Sequence, residues 1–283
     1  MTEVTLDTAP ATQTAIDPAQ DLVLRHSDRP RPRYSMPRAI KNFRLLLKDK
    51  EDTSLVFKIY ESLPSRSFMP RVEALTMSER GHYLRRTEPN LPEILDDHDE
   101  LRKTPAGSLA HAYCDFMERE GLSAAGLVAE SEKLGRPKYP DLVQWFADRS
   151  RDTHDLFHIL TGYGRDALGE QCVLLFTHGQ SPSQGHLLIG YAGAANIRRM
   201  VWGSKAPVMG AVRQAKRTGR GAPNLIEQPI RELLKLPLDT VRDAMNIPEP
   251  TVYRECHRIW REEGIDPYDL LATNENTDGL ASA

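Results

Sequence analysis

The sequence predicts an all-α, single-domain protein. Apolar residues recur at spacings of three, four and seven through most of the chain, and no segment shows the polar–apolar alternation of a convincing strand. The prolines fall mostly between the periodic segments, as stiff connections between packed helices. With 283 residues and 40% hydrophobic content the chain can bury one sizeable core. It shows no internal repeat.

The elements follow in order. Residues 1–36 are rich in Thr, Ala, Pro and Asp and carry no period, which predicts a disordered tail. The helical domain is expected over 37–272 and a second disordered tail over 273–283. Leu55, Val56, Ile59, Tyr60 and Leu63 mark a helix with Asp52 and Thr53 as cap candidates, and Leu109, Tyr113, Phe116 and Met117 mark another behind a turn at 105–107. Leu142, Trp145, Phe146, Leu156, Phe157 and Leu160 share a stripe interrupted by Arg149 and Thr153, predicting one amphipathic helix over 141–160. Gly162 and Gly164 stop that helix, and a returning one begins near Asp166, with Leu168, Cys172, Leu175 and Phe176 at helical spacing.

Farther on, HLLIGYAGAANI at 186–197 is the longest apolar run and is too short to cross a bilayer. Seven basic residues and no acidic one follow over 198–220: Arg198, Arg199, Lys205, Arg213, Lys216, Arg217 and Arg220. A basic surface beside an apolar groove suits a greasy tail with an anionic head, or an anionic membrane face; the alternative is a solvated helix covering the core. Residues 236–264 read as a helix ending near Met245, a turn at 246–250 and a helix from Thr251, the outline of a helix-turn-helix that would offer Arg254, His257 and Arg258. Glu255, Glu262 and Glu263 share the second helix and the net charge is −3, so a terminal hairpin packed on the domain is expected and no nucleic-acid partner.

The sharpest chemical signal is HDLFHILTGYGRDALGE at 154–170, which places His154, Asp155 and His158 on one helix and, after eleven intervening residues, Glu170 on its returning partner. Two imidazoles four apart project from one helix face, so the set is a candidate divalent-metal site. Imidazole and carboxylate ligands suit zinc, with iron or manganese chemically possible, and such a sphere keeps an exchangeable position more readily than a cysteine-rich structural site. A structural metal or a metal-free hydrogen-bonded cluster are the alternatives. A zinc peptidase would need glutamate where Asp155 stands, and a His-Asp phosphohydrolase would take its other ligands from distant positions.

This motif resembles that of the ubiquinone (coenzyme Q) biosynthesis protein numbered four in its pathway, the Coq-four family. LLLKDKEDTSLVFKIYESL and TPAGSLAHAYCDFM are similar to it as well, and the resemblance, to a bacterial-type member, spans about residues 43–247. It implies metal-dependent, oxidative removal of the carboxylate at ring carbon one of a polyprenylated 4-hydroxybenzoate. The alternative it leaves is a non-catalytic lipid-binding scaffold for other ubiquinone enzymes. A homo-oligomer is a further expected partner. Cys114, Cys172 and Cys256 are odd in number and scattered, as in a reducing compartment. Glu3, Asp7, Asp17 and Asp21 are unlike a mitochondrial transit peptide, so the expected location is a bacterial cytoplasm, peripheral to the inner membrane.

Overall fold

The computed structural model describes residues 22–48, 53–133 and 135–271. Among them no strand forms, only two isolated bridges. The helices run in chain order as α1 (Met36–Leu46), α2 (Thr53–Ser62), α3 (Phe68–Thr76), α4 (Glu79–Thr87), α5 (Leu91–Asp96), α6 (His98–Leu101), α7 (Leu109–Glu120), α8 (Ala124–Glu132), α9 (Leu142–Asp152) and α10 (His154–Thr161). They continue as α11 (Ala167–Gln180), α12 (Gln184–Met200), α13 (Val208–Gly221), α14 (Ile230–Leu233), α15 (Leu238–Ala244) and α16 (Thr251–Glu263). The protein is all-α and a single domain, as the periodicity predicts.

At its centre stands α11, whose Cys172, Val173, Leu175 and Phe176 are fully buried. Glycines let its neighbours come close. A Cβ on Gly219 of α13 would lie 2.1 Å from the Phe176 carbonyl oxygen, and one on Gly193 of α12 would lie 2.3 Å from Gln171 Oε1. The glycines of the 186–197 run therefore make room on α12 for the Gln171 and Leu175 side chains of α11. The expected apolar groove along that run is replaced by packing: Gly190 sits against Leu175, and Ile189 joins the cluster of α1 and α2.

Two further expectations need correction. The single helix over 141–160 is two, because Thr153, with ψ near 0, turns the chain between α9 and α10. Its hydroxyl donates to the Arg149 carbonyl at 3.0 Å, a local bond that competes with helix continuation. Residues 22–36, expected within a disordered tail, are anchored: Arg29 forks onto Asp141 at 2.7 and 2.8 Å, and the Val23 carbonyl accepts the Leu142 N–H at 3.0 Å. Residues 1–21, Asp52 and the expected tail at 273–283 lie outside the described residues.

The C-terminal hairpin forms at the expected positions and packs on the domain. Tyr253, Cys256 and Trp260 of α16 are buried, while Arg258 pairs with Glu255 and Glu262 and Arg254 with Glu249. On the outer face of the hairpin the Arg254 and Arg258 charges are offset by neighbouring carboxylates.

Candidate metal centre

The short helix α10, a five-residue loop and the first turn of α11 build the site. Gly162, at φ +72, ends α10 in the left-handed region that only glycine enters without strain. The chain reverses over 162–166, and Asp166 starts α11 by accepting the Leu168 and Gly169 N–H groups at 3.0 and 3.2 Å. Gly169 is required there, since a Cβ would lie 2.0 Å from the Gly164 carbonyl oxygen. Glu170 thus emerges from the first turn of α11 toward α10.

The side chains of His154, His158 and Glu170 converge, each offering one ligand atom within 4.8 Å of the others. Glu170 Oε1 is 3.7 Å from His158 Nε2, and Glu170 Oε2 is 4.0 Å from His154 Nε2. These gaps exceed hydrogen-bond length; ligands of a tetrahedral zinc lie about 3.3 Å apart, given metal–nitrogen distances of about 2.0 Å. A contraction of roughly half an ångström or more along these edges would bring the donors to an ion. His158 is oriented for it. Its Nδ1 lies 3.0 Å from the Tyr163 carbonyl, to which it donates, leaving the lone pair on Nε2, and that atom is buried without a hydrogen-bond partner. Phe116 stacks on the ring, and His154 meets it edge-on at 5.1 Å.

Burial keeps both imidazoles neutral: it lowers the pKa of His154, helped by His158, and that of His158. Loss of solvation pushes the Glu170 carboxyl up to about 6 against the pull of His154 and Arg165. Arg165 Nε lies 3.9 Å from Glu170 Oε1. Burial would also raise Asp166, but the nearby His257 and a hydrogen bond from Tyr253 hold it below the usual carboxylate range.

Asp155, expected as a fourth ligand, is buried beside the site, yet its carboxylate is not among the converging atoms. One residue on a helix is about 100° of rotation, which turns it away from the His154 and His158 face. Its charge still acts on both histidines. The Tyr163 carbonyl, Asp166, Tyr253 and His257 are neighbours of the cluster that sequence reasoning missed, because a backbone acceptor has no side-chain signature and α16 is remote in the chain. A second cluster, His98, Cys114 and Glu118, is a poorer cation site because Arg102 already occupies Glu118 at 2.9 Å. A cavity of about 540 Å³ beside Trp145, Arg149 and Asp152 takes none of the three donors.

Comparison with known proteins follows the same lines. A mitochondrial ubiquinone biosynthesis protein of Podospora anserina is 24% identical over 80% of this chain and 72% of its own, and one of Penicillium rubens is 24% identical over 74% and 71%. The fold is shared with a crystal structure of a protein from Nostoc punctiforme, at a TM-score of 0.52 and 19% identity, covering 76% of this chain and all of that one. Residues 47–251 match the family described as coenzyme Q (ubiquinone) biosynthesis protein Coq4, and the chain belongs to that family.

Proposed function

We propose that this chain serves ubiquinone biosynthesis by holding one divalent ion, zinc first, on His154, His158 and Glu170, and by removing the ring carboxylate of a polyprenylated 4-hydroxybenzoate. The observation that carries the reading is the buried, unpartnered Nε2 of His158, aimed across a gap at the Glu170 carboxylate. A buried acceptor without a donor is costly, and an ion there would relieve it. A bound ion supplies Lewis acidity toward the substrate's carboxylate or phenolate oxygen. The neutral imidazoles keep their lone pairs at pH 7, and the Tyr163 carbonyl prevents the His158 ring from turning. Arg165, 37% exposed at the rim, would take the substrate carboxylate by a charge-assisted hydrogen bond. The ring–carboxyl bond breaks with loss of carbon dioxide, water supplies the hydroxyl that takes its place, and the two electrons released from the electron-rich ring pass with two protons to dioxygen, which leaves as hydrogen peroxide.

Turnover of a synthetic prenylated hydroxybenzoate by the metal-loaded protein, followed as carbon dioxide release, tests the reaction. Tight binding without turnover would favour the lipid-binding scaffold. Elemental analysis is expected to find about one ion per chain. Affinity should be flat above pH 7, where both histidines are neutral, and fall about tenfold per unit below the Glu170 value of about 6, as protons compete for the carboxylate. Chelator competition between pH 5 and 8 checks this; an affinity unchanged at pH 5 would remove Glu170 from the ligand set.

The same reading puts the protein at an anionic membrane surface. Trp202, on the loop between α12 and α13, is 88% exposed. Around it Arg198, Arg199 and Lys205 are exposed, Lys205 beside Glu263, and Arg213, Arg217 and Arg220 line the outer face of α13. Gln171 fixes the level of Gly193, so α12 runs on to Met200 about 10 Å beyond it, on the side where Glu170 lies. The aromatic and cationic loop therefore stands at the metal end of the bundle. Trp202→Ala and Arg198→Glu are each expected to weaken pelleting with anionic vesicles, by on the order of 1 kcal/mol for a surface charge removed, and salt should do the same. Equal pelleting with neutral vesicles would remove the electrostatic part. No helix among the described residues is long and apolar enough to cross a membrane.

A further inference from the structure

The loop over 162–166 holds both halves of the candidate centre: its Tyr163 carbonyl orients His158, and its Asp166 starts the helix that carries Glu170. The loop is in turn covered by α16. Tyr253 Oη accepts the Gly164 N–H at 2.9 Å and donates to Asp166 Oδ2, and its ring meets that of Tyr163 edge-on at 5.2 Å. One turn on, His257 Nε2 lies 3.3 Å from Asp166 Oδ1. The fully buried Asp166 thus accepts from three donors, two in the first turn of α11 and Tyr253 of α16, with His257 Nε2 in contact beside them. From α15, Arg242 donates to the Leu160 and Ile159 carbonyls at 3.0 and 2.9 Å, holding the end of the helix that bears His158.

We propose that Tyr253 and His257 are positioning residues for the metal centre, acting through Gly164 and Asp166 to fix the direction of His158 Nε2 and its distance from Glu170. Neither touches the ion or the substrate. The family match ends at residue 251, so this support comes from a segment just beyond the part of the chain that carries the family's pattern. The inference rests on the metal reading above, but its effect on the loop can be measured without metal. A polar partner behind each ligand is what keeps a ligand set at metal-binding geometry, and losing one commonly costs 10- to 100-fold in affinity.

Because Tyr253 is also packed in the core, the test must separate position from packing. Tyr253→Phe keeps the ring and removes Oη. Gln214→Ala is the control, since Gln214 holds the start of the same helix through the Val252 N–H at 3.0 Å and Thr251 Oγ1 at 2.9 Å and does not reach the loop. In metal-free protein, hydrogen exchange over 162–170 is expected to quicken in Tyr253→Phe and not in Gln214→Ala, with the rest of α16 unchanged in both. In chelator competition Tyr253→Phe should bind zinc about 10- to 100-fold more weakly, and its cobalt-substituted form should show shifted visible bands, while Gln214→Ala matches wild type. Wild-type exchange and affinity in Tyr253→Phe, or equal losses in Gln214→Ala, would overturn the proposal. Faster loop exchange confined to Tyr253→Phe in a protein that binds no zinc even as wild type would sustain the support of the loop and remove the metal.

Discussion

Glu170→Ala is expected to give a folded protein that retains no metal and no longer supports ubiquinone synthesis. The carboxyl sits near pKa 6 in the fold against about 4.3 in an unfolded chain. A raised carboxylate pKa means that the folded state favours the proton, so the group's contribution is present below the unfolded value and lost as pH rises through 6. At pH 7 the ionised group is therefore a burden of on the order of 2 kcal/mol, and alanine removes it. In chelator the variant should melt at or above the wild-type temperature. With zinc present the order reverses: an ion at a hundredfold excess over Kd adds about 2.7 kcal/mol to wild type, roughly 5–10 °C in Tm, and adds little to a variant left with two histidines. Paired melting curves with and without chelator, together with complementation of a ubiquinone-deficient strain, read both halves. A variant that melts far below wild type in chelator would make Glu170 a structural residue, and full complementation would end the catalytic reading.

The convergence of His154, His158 and Glu170 was legible because each step obeys local geometry. Four residues bring two imidazoles to one face, and two glycines with a capping aspartate return the chain. Asp155 was misplaced for the same kind of reason: adjacency in sequence is a quarter-turn apart on a helix, and its side chain falls toward the neighbourhood of Tyr113 rather than the gap. What escaped depends on distance along the chain. Arg29 is held by Asp141, 112 residues later, so a composition that reads as a tail becomes anchored at its second half. Tyr253 meets Asp166 across 87 residues, and nothing in either segment announces the other. The span 141–160 reads as one helix because its apolar stripe continues in phase across Thr153, and phase is blind to a single buried hydroxyl that turns the backbone.

Arg149 is the clearest case of a residue whose role reverses between sequence and structure, and it carries the largest expected loss of stability. On the helical stripe it reads as a polar interruption. In the fold it is 3% exposed, with Nε donating to the Ile226 carbonyl at 2.7 Å, Nη2 donating to the Gln228 carbonyl at 2.6 Å, and Nη2 2.8 Å from Oε2 of Glu88, itself fully buried. Glu88 also accepts the Arg231 N–H at 2.7 Å, so one ion pair ties α9 to the start of α14 and the end of α4. Arg149→Met fills much of the same space but leaves the Glu88 charge buried without a cation and two carbonyls without donors. The expected cost is about 3–5 kcal/mol, roughly 6–20 °C in Tm. Glu88→Gln in the same protein should recover part of it, because the amide is neutral and its oxygen still accepts from Arg231. A loss under about 1 kcal/mol for the single variant would mean that the pair is no better than apolar packing. Since the break at Thr153 separates α9 from the helices that hold the three donors, Arg149→Met should keep its zinc affinity at temperatures where it is folded, the converse of Glu170→Ala; zinc lost from the folded variant would show that α9 and the metal centre move together.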